Sequence, residues 1–205
     1  MKEKDIILIA RMISLVFTPH YLPLVGMATL FLFSNMSMMP WTYIVLLIIS
    51  VYFFTILLPM LLIRLYRRAQ GWSLIEIGVK EHRMVPYIIS IICYFTCYYL
   101  MTARHIPHLV SGILLAALAI QIVCAVINVW WKISTHSAAI GGFAGTLIAF
   151  SFKFSFNPVW WLCLIILVAG LVGTARMILR QHTLAQVVGG FFVGFICAFA
   201  MIMRF

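Results

Sequence analysis

The chain has 205 residues, is 65% hydrophobic and only 9% charged, and carries a formal net charge of +10. Soluble domains are roughly half apolar and a quarter charged, so this composition excludes an ordinary soluble fold and indicates an integral membrane protein with little mass outside the bilayer. The positive balance is not a nucleic-acid footprint, because the basic residues are scattered at the ends of apolar runs, where they meet lipid headgroups and set orientation.

A membrane-spanning helix needs about 20 predominantly apolar residues. Apolar runs predict spans at about 12–33, 41–63, 86–102, 108–130, 138–152, 158–175 and 184–203. The third and fifth runs are short for a full crossing, so six or seven spans fit. The fold class is all-α, a polytopic membrane helix bundle, with residues 1–205 forming a single integral membrane domain. Pro19, His20 and Pro23 inside the first run predict a broken or tilted span. That run contains Arg11 and lacks a small-x-small cleavage pattern, and it reads as a retained span rather than a signal peptide. Cys93, Cys97, Cys124, Cys163 and Cys197 all lie in apolar runs and read as small packing residues.

Three polar segments interrupt the apolar runs: 64–86, Lys132–Ser137 and Arg176–Gln186. Two candidate spans separate the first from the second, and two more separate the second from the third. An even number of crossings returns the chain to the same side, so all three segments can meet at one membrane face. Beside them lie Gly141-x3-Gly145 and Gly190-x3-Gly194, small-residue patterns that let helix backbones approach closely. They serve either to clamp the helices bearing the polar loops or in ordinary bundle packing.

The third segment carries the pattern Arg-x5-His-x3-Gln in Arg176, His182 and Gln186. His182 and Gln186 stand at i and i+4, on one helix face. Gln186 can accept a hydrogen bond from one imidazole nitrogen and fix the tautomer, leaving the other nitrogen as a nucleophile towards phosphorus. Arg176 supplies a planar fork matched to phosphate oxygens. Arg180 and Lys132 read as interfacial residues snorkelling to headgroups. In the second segment, backbone amides at a helix start and the hydroxyls of Ser134 and Thr135 can bind an anion, and His136 can protonate a leaving oxygen. In the first segment, Lys80 and Arg83 are two further candidate phosphate ligands, Pro86 suits the first turn of the next span, and Arg64, Arg67 and Arg68 read as orientation signals. The acidic residues are Glu3, Asp5, Glu76 and Glu81, with no carboxylate side chain afterwards. Catalytic Mg²⁺ is held by carboxylates and substrate phosphates, so metal-dependent prenyl transfer and carboxylate proton relays are disfavoured, and no metal or other cofactor is expected.

These three segments resemble the signature motifs of the type-2 phosphatidic acid phosphatase superfamily of membrane lipid phosphatases. Its usual pattern is Lys-x6-Arg-Pro, then Pro-Ser-Gly-His, then Ser-Arg-x5-His-x3-Asp. The chain has Ala175-Arg176-x5-His182-x3-Gln186 for the third and Ile133-Ser134-Thr135-His136 for the second. The first is altered: Lys80 stands three residues before Arg83, Pro86 follows three later, and Glu76 falls where the lysine is usual. The resemblance covers about residues 76–200. It implies a metal-independent phosphatase acting through a phosphohistidine, with His182 as nucleophile and His136 as acid for the leaving group. It also implies that Arg176, Lys80, Arg83 and Ser134 hold the phosphoryl oxygens. Gln186 replaces the usual aspartate and Thr135 the usual glycine.

A site at a bilayer face with apolar walls fits a lipid-linked phosphate: an isoprenyl diphosphate, phosphatidate or phosphatidylglycerol phosphate, or lipid A phosphate. The expected setting is the cell inner membrane, in contact with membrane lipids, with no oligomeric state implied. Positive charge is concentrated on the face of the three segments, which the positive-inside rule turns towards the cytoplasm, whereas bacterial lipid phosphatases of this superfamily more often face the periplasm. The alternatives are a non-enzymatic haem- or ion-handling membrane protein using His136 and His182 as ligands, and a catalytically silent lipid-binding relative.

Overall fold

Pro19 and Pro23 divide the first membrane span into two helices, α1 (Glu3–Val16) and α2 (Leu22–Phe33), joined by a 3₁₀ turn at Pro19–Tyr21. The computed structural model describes residues 3–34, 38–71 and 80–204, with the side chains of residues 80–83 outside that description. The following helices are α3 (Trp41–Tyr52), α4 (Leu58–Gln70), α5 (Lys80–Ala103), α6 (His108–Trp130), α7 (Thr135–Phe154), α8 (Val159–Ile178) and α9 (Leu184–Arg204). A π turn at Phe53–Leu57 links α3 to α4 into one continuous span. Pro59 follows it, and the wider turn accommodates a residue that cannot donate to the helical ladder.

Among the described residues, seven helical segments are long and apolar enough to cross a membrane. The architecture is therefore an all-helical membrane bundle, in which each helix satisfies its own backbone where no water is available. The first span begins at Glu3, well before the expected residue 12. Glu3 and Asp5 stand in its first turn, where carboxylates favour the positive end of the helix dipole. The two runs that looked short reach full length as Met84–Ala103 and Thr135–Phe154. Exposed tryptophans mark span ends: Trp41 and Trp160 at one side, Trp130 and Trp131 at the other.

Helix α7 is the central element. It packs on α9 over the longest interface and also touches α8, α2 and α6. Small residues make this possible. A Cβ at Gly141 would overlap the Phe191 carbonyl oxygen, one at Gly145 that of Phe195, and one at Gly194 that of Ala138. The two glycine patterns thus face each other and bring the α7 and α9 backbones together. Larger side chains fill the space on α7's other flanks, with Leu147 and Phe150 fully buried. Seven crossings place the ends of α4, α6 and α8 and the starts of α5, α7 and α9 at one face.

Candidate active site

The loop between α8 and α9 explains the spacing from Arg176 to His182. Helix α8 ends at a Leu179 cap, followed by Arg180 in the left-handed region at φ 52°. Gln181 N–H donates to Arg176 C=O at 3.1 Å and Arg180 N–H to Met177 C=O at 2.9 Å. This bonding is a Schellman stop with arginine where glycine is usual. Two residues later Thr183 caps α9. Gln186 N–H donates to Thr183 Oγ1 at 3.4 Å and Thr183 N–H donates back to Gln186 Oε1 at 3.2 Å. This reciprocal pair is a capping box. His182 is held between the stop and the box.

The box also sets the histidine's tautomer. His182 Nδ1 lies 3.2 Å from the same Gln186 Oε1. The Thr183 amide can only donate, so the atom it meets is the glutamine's oxygen. Nδ1 must then carry the proton of a neutral ring, and Nε2 carries the lone pair. Burial first, and then the charges of Arg176 and Lys132, push the His182 pKa down to about 4. Hydrogen bonds to Gln186 and to the Lys132 backbone act the other way but do not outweigh them. The imidazole is neutral at ordinary pH.

The second segment meets the third through the backbone. Ser134 N–H donates to Gln186 C=O at 3.3 Å. Ser134 is fully buried and caps α7, its Oγ accepting from Ser137 N–H at 3.4 Å and lying 3.0 Å from Ser137 Oγ. Its hydroxyl is thus engaged in the helix start. Thr135 and His136 occupy the first turn, half-buried, where amides face outward from the helix end.

His136 is held from an unexpected direction. Its Nε2 lies 3.2 Å from the carbonyl oxygen of Ser14, on α1. A carbonyl only accepts, so Nε2 carries the proton in this bond. The Ser14 carbonyl is available because the helix stops. Its ordinary donor would be Thr18 N–H, but Thr18 has left the helix with φ −71° and ψ 146°, as residues before proline do. The break in the first span therefore creates the acceptor that holds His136. The other ring nitrogen, Nδ1, is buried and has no hydrogen-bond partner among the described residues. The same holds for Arg176 Nε, Ser14 Oγ and His20 Nδ1. Arg176, His182 and His20 all lie within electrostatic range of His136.

Of the sequence-expected residues, His182, Gln186, Arg176, Ser134, Thr135 and His136 thus gather at one end of the bundle. Lys80 and Arg83 stand at the start of α5, and their side chains lie outside the described residues. Three neighbours were not anticipated: Ser14, His20 and the charge of Lys132. An ionisable residue beside two prolines inside a span was the signal for His20. Among the described residues, no three His, Cys, Asp or Glu side chains are grouped to hold a metal ion.

No curated protein and no solved structure matches this chain. One family model does, that of the PAP2 superfamily, over residues 128–205. That stretch holds the second and third motifs and leaves out the first motif and the first two spans. From the last turn of α6 onwards, the chain is a PAP2 superfamily domain.

Proposed function

We propose that this protein is a membrane-integral lipid phosphatase that acts without a metal, through a phosphohistidine at His182. The observation that carries the reading is the shared Gln186 Oε1, which fixes the Nδ1–H tautomer of His182 and puts its lone pair on Nε2. In the first step Nε2 attacks phosphorus, the P–N bond forms, and the bond to the leaving oxygen breaks. The substrate's phosphate monoanion first gives its proton to His136 Nδ1, the ring atom not bound to Ser14, making the imidazolium, and the leaving oxygen then takes that proton. Water then attacks the phosphohistidine and gives a proton to His136 Nδ1, the P–N bond breaks with its electron pair returning to His182 Nε2, and phosphate is released. Arg176 lies near both imidazoles and neutralises the oxygens as charge spreads in the transition state. Outward amides at the start of α7, which Ser134 caps, with Thr135, and Lys80 and Arg83 from the start of α5, complete the phosphate-binding set. Gln186 replaces a carboxylate as the orienting group, so the ring is held by an amide dipole instead of a charge.

An apolar cavity of about 340 Å³ supports a lipid-linked substrate. Val16, Phe17, Tyr21, Ala139, Phe143 and Leu164 are among its walls, between the broken first span and helices α7 and α8. Ala139, Ile140 and Phe143 follow His136 at i+3, i+4 and i+7, so the cavity continues down the helix face that bears this histidine. A hydrocarbon chain there would leave its phosphate at the polar end. Candidate substrates are an isoprenyl diphosphate, phosphatidate, phosphatidylglycerol phosphate and lipid A phosphate.

The test is phosphate release from that panel in EDTA, comparing wild type with His182→Ala and His136→Ala. His182→Ala is expected to lose at least 10³-fold in kcat/KM, the scale for an essential nucleophile. Wild-type activity that both substitutions leave intact would rule the mechanism out.

A further inference from the structure

We propose that the first membrane span supplies a third imidazole to the site, His20, which donates a hydrogen bond to a phosphoryl oxygen of the bound substrate. The proposal rests on the phosphatase reading above and extends the site to a segment outside the matched domain.

His20 lies in the 3₁₀ turn that interrupts the span. Ionisable residues inside membrane spans are costly and face the bundle interior or a polar cavity. His20 obeys that rule. The turn packs against α7 and the π turn, and its residues bracket the first two turns of α7. Pro19 shares a small cavity with Thr135 and Ala139, and Tyr21 shares the large apolar one with Ala139 and Ile140. His136 lies within that stretch of α7, and the two rings are within electrostatic range of each other. The same broken span, through the Ser14 carbonyl, already grips His136.

His20 Nδ1 is sequestered without a hydrogen-bond partner among the described residues, as are His136 Nδ1 and Arg176 Nε. A single buried orphan calls for an explanation. Three on three separate elements around one end of the bundle share one: a ligand rich in acceptor oxygens. Phosphate has such oxygens: Arg176 Nε always carries a proton, His20 Nδ1 carries one in one neutral tautomer, and His136 Nδ1 carries one in the imidazolium. A structural role for His20, filling the gap left by the prolines, would not require a polar ring in an apolar turn.

Inorganic phosphate is the probe. Its inhibition constant is measured, against hydrolysis of a lipid phosphate, for wild type, His20→Leu and His20→Gln. His20→Leu is expected to weaken phosphate binding roughly 10- to 100-fold, the usual loss for a hydrogen bond to a charged group. His20→Gln, which keeps an N–H donor, is expected to recover most of it. A phosphate constant in His20→Leu within twofold of wild type overturns the proposal, as does an equal loss in both variants. The unmodified protein gives a second readout that no variant's folding can affect. In ¹⁵N-histidine spectra the His20 ring nitrogens should shift on phosphate addition, while His105 and His108, at the opposite end of the bundle, should not. A silent His20 overturns the proposal. A wild type without phosphatase activity would overturn the catalytic reading instead, and the titration would still decide whether His20 binds phosphate.

Discussion

Ser134 donates its backbone N–H to the carbonyl oxygen of Gln186 across 3.3 Å, joining the cap of α7 to the first turn of α9. Two residues beyond Ser134 is His136, and four before Gln186 is His182. A bond between two caps therefore sets the separation of the proposed acid and nucleophile. It also explains why α7 and α9 must touch along their glycines, since a wider spacing would break it.

Gln186 has two tasks, closing the capping box and orienting His182. Gln186→Ala should lower kcat/KM by roughly 10²–10³, because the ring loses the partner that fixes its tautomer. Loss of the box should cost about 1 kcal/mol of stability. Phosphate release and thermal unfolding in detergent separate the two effects.

Acid sensitivity should reflect the depressed His182 pKa. With its pKa at about 4, the nucleophile stays neutral well below the usual histidine range. The acid limb of kcat/KM attributable to His182 should therefore fall near pH 4 and not near 6.5. Gln186→Glu places a carboxylate on Nδ1, favours the imidazolium and should move that limb to higher pH. For stability the sign is as follows. Between about pH 6.5 and 4 the unfolded histidine binds a proton that the folded one does not. This contribution therefore falls as pH drops through that window and levels off below it. Denaturation midpoints of wild type and His182→Gln across that range provide the check.

Pro19→Ala should release His136. With proline removed, Thr18 can return to helical geometry and its N–H can take the Ser14 carbonyl. We expect kcat to fall about tenfold, the scale of one lost positioning hydrogen bond, with folding retained because a helix is extended rather than broken. An unchanged kcat would show that the Ser14 contact does not position the ring.

Gly194→Val should separate α7 from α9, because its Cβ would meet the Ala138 backbone, which cannot rotate away. Overpacking of this kind costs about 1–3 kcal/mol. It should also weaken the Ser134–Gln186 bond, so activity should fall alongside the unfolding temperature.

Arg180→Gly tests the α8 stop. Arg180 holds a left-handed φ of 52°, where glycine has no steric cost. The substitution should leave phosphate release intact and change stability by less than about 1 kcal/mol, relief of strain being offset by greater freedom of the unfolded chain.

The sequence by itself determined the features that depend on near neighbours. Long apolar runs specify spanning helices because a bilayer offers the backbone no other partner. The spacing of His182 and Gln186 encodes an i, i+4 pair, and the residues between Arg176 and Gln186 form a helix stop at Arg180 and a cap at Thr183, all local geometry. Small residues spaced by four announced close helix contact, though not which helices would meet. Tertiary structure alone decided what lies across the site. Ser14 is separated from His136 by 122 residues, and its role rests on a main-chain carbonyl that no side-chain pattern reports. His20 looked like part of a helix break, and only the docking of that break against α7 brought it beside His136. Lys132 looked interfacial, and only the fold brought its charge to bear on His182. Hydrogen bonds and fields act through space, so residues without a common period or spacing come into range only once the helices are packed.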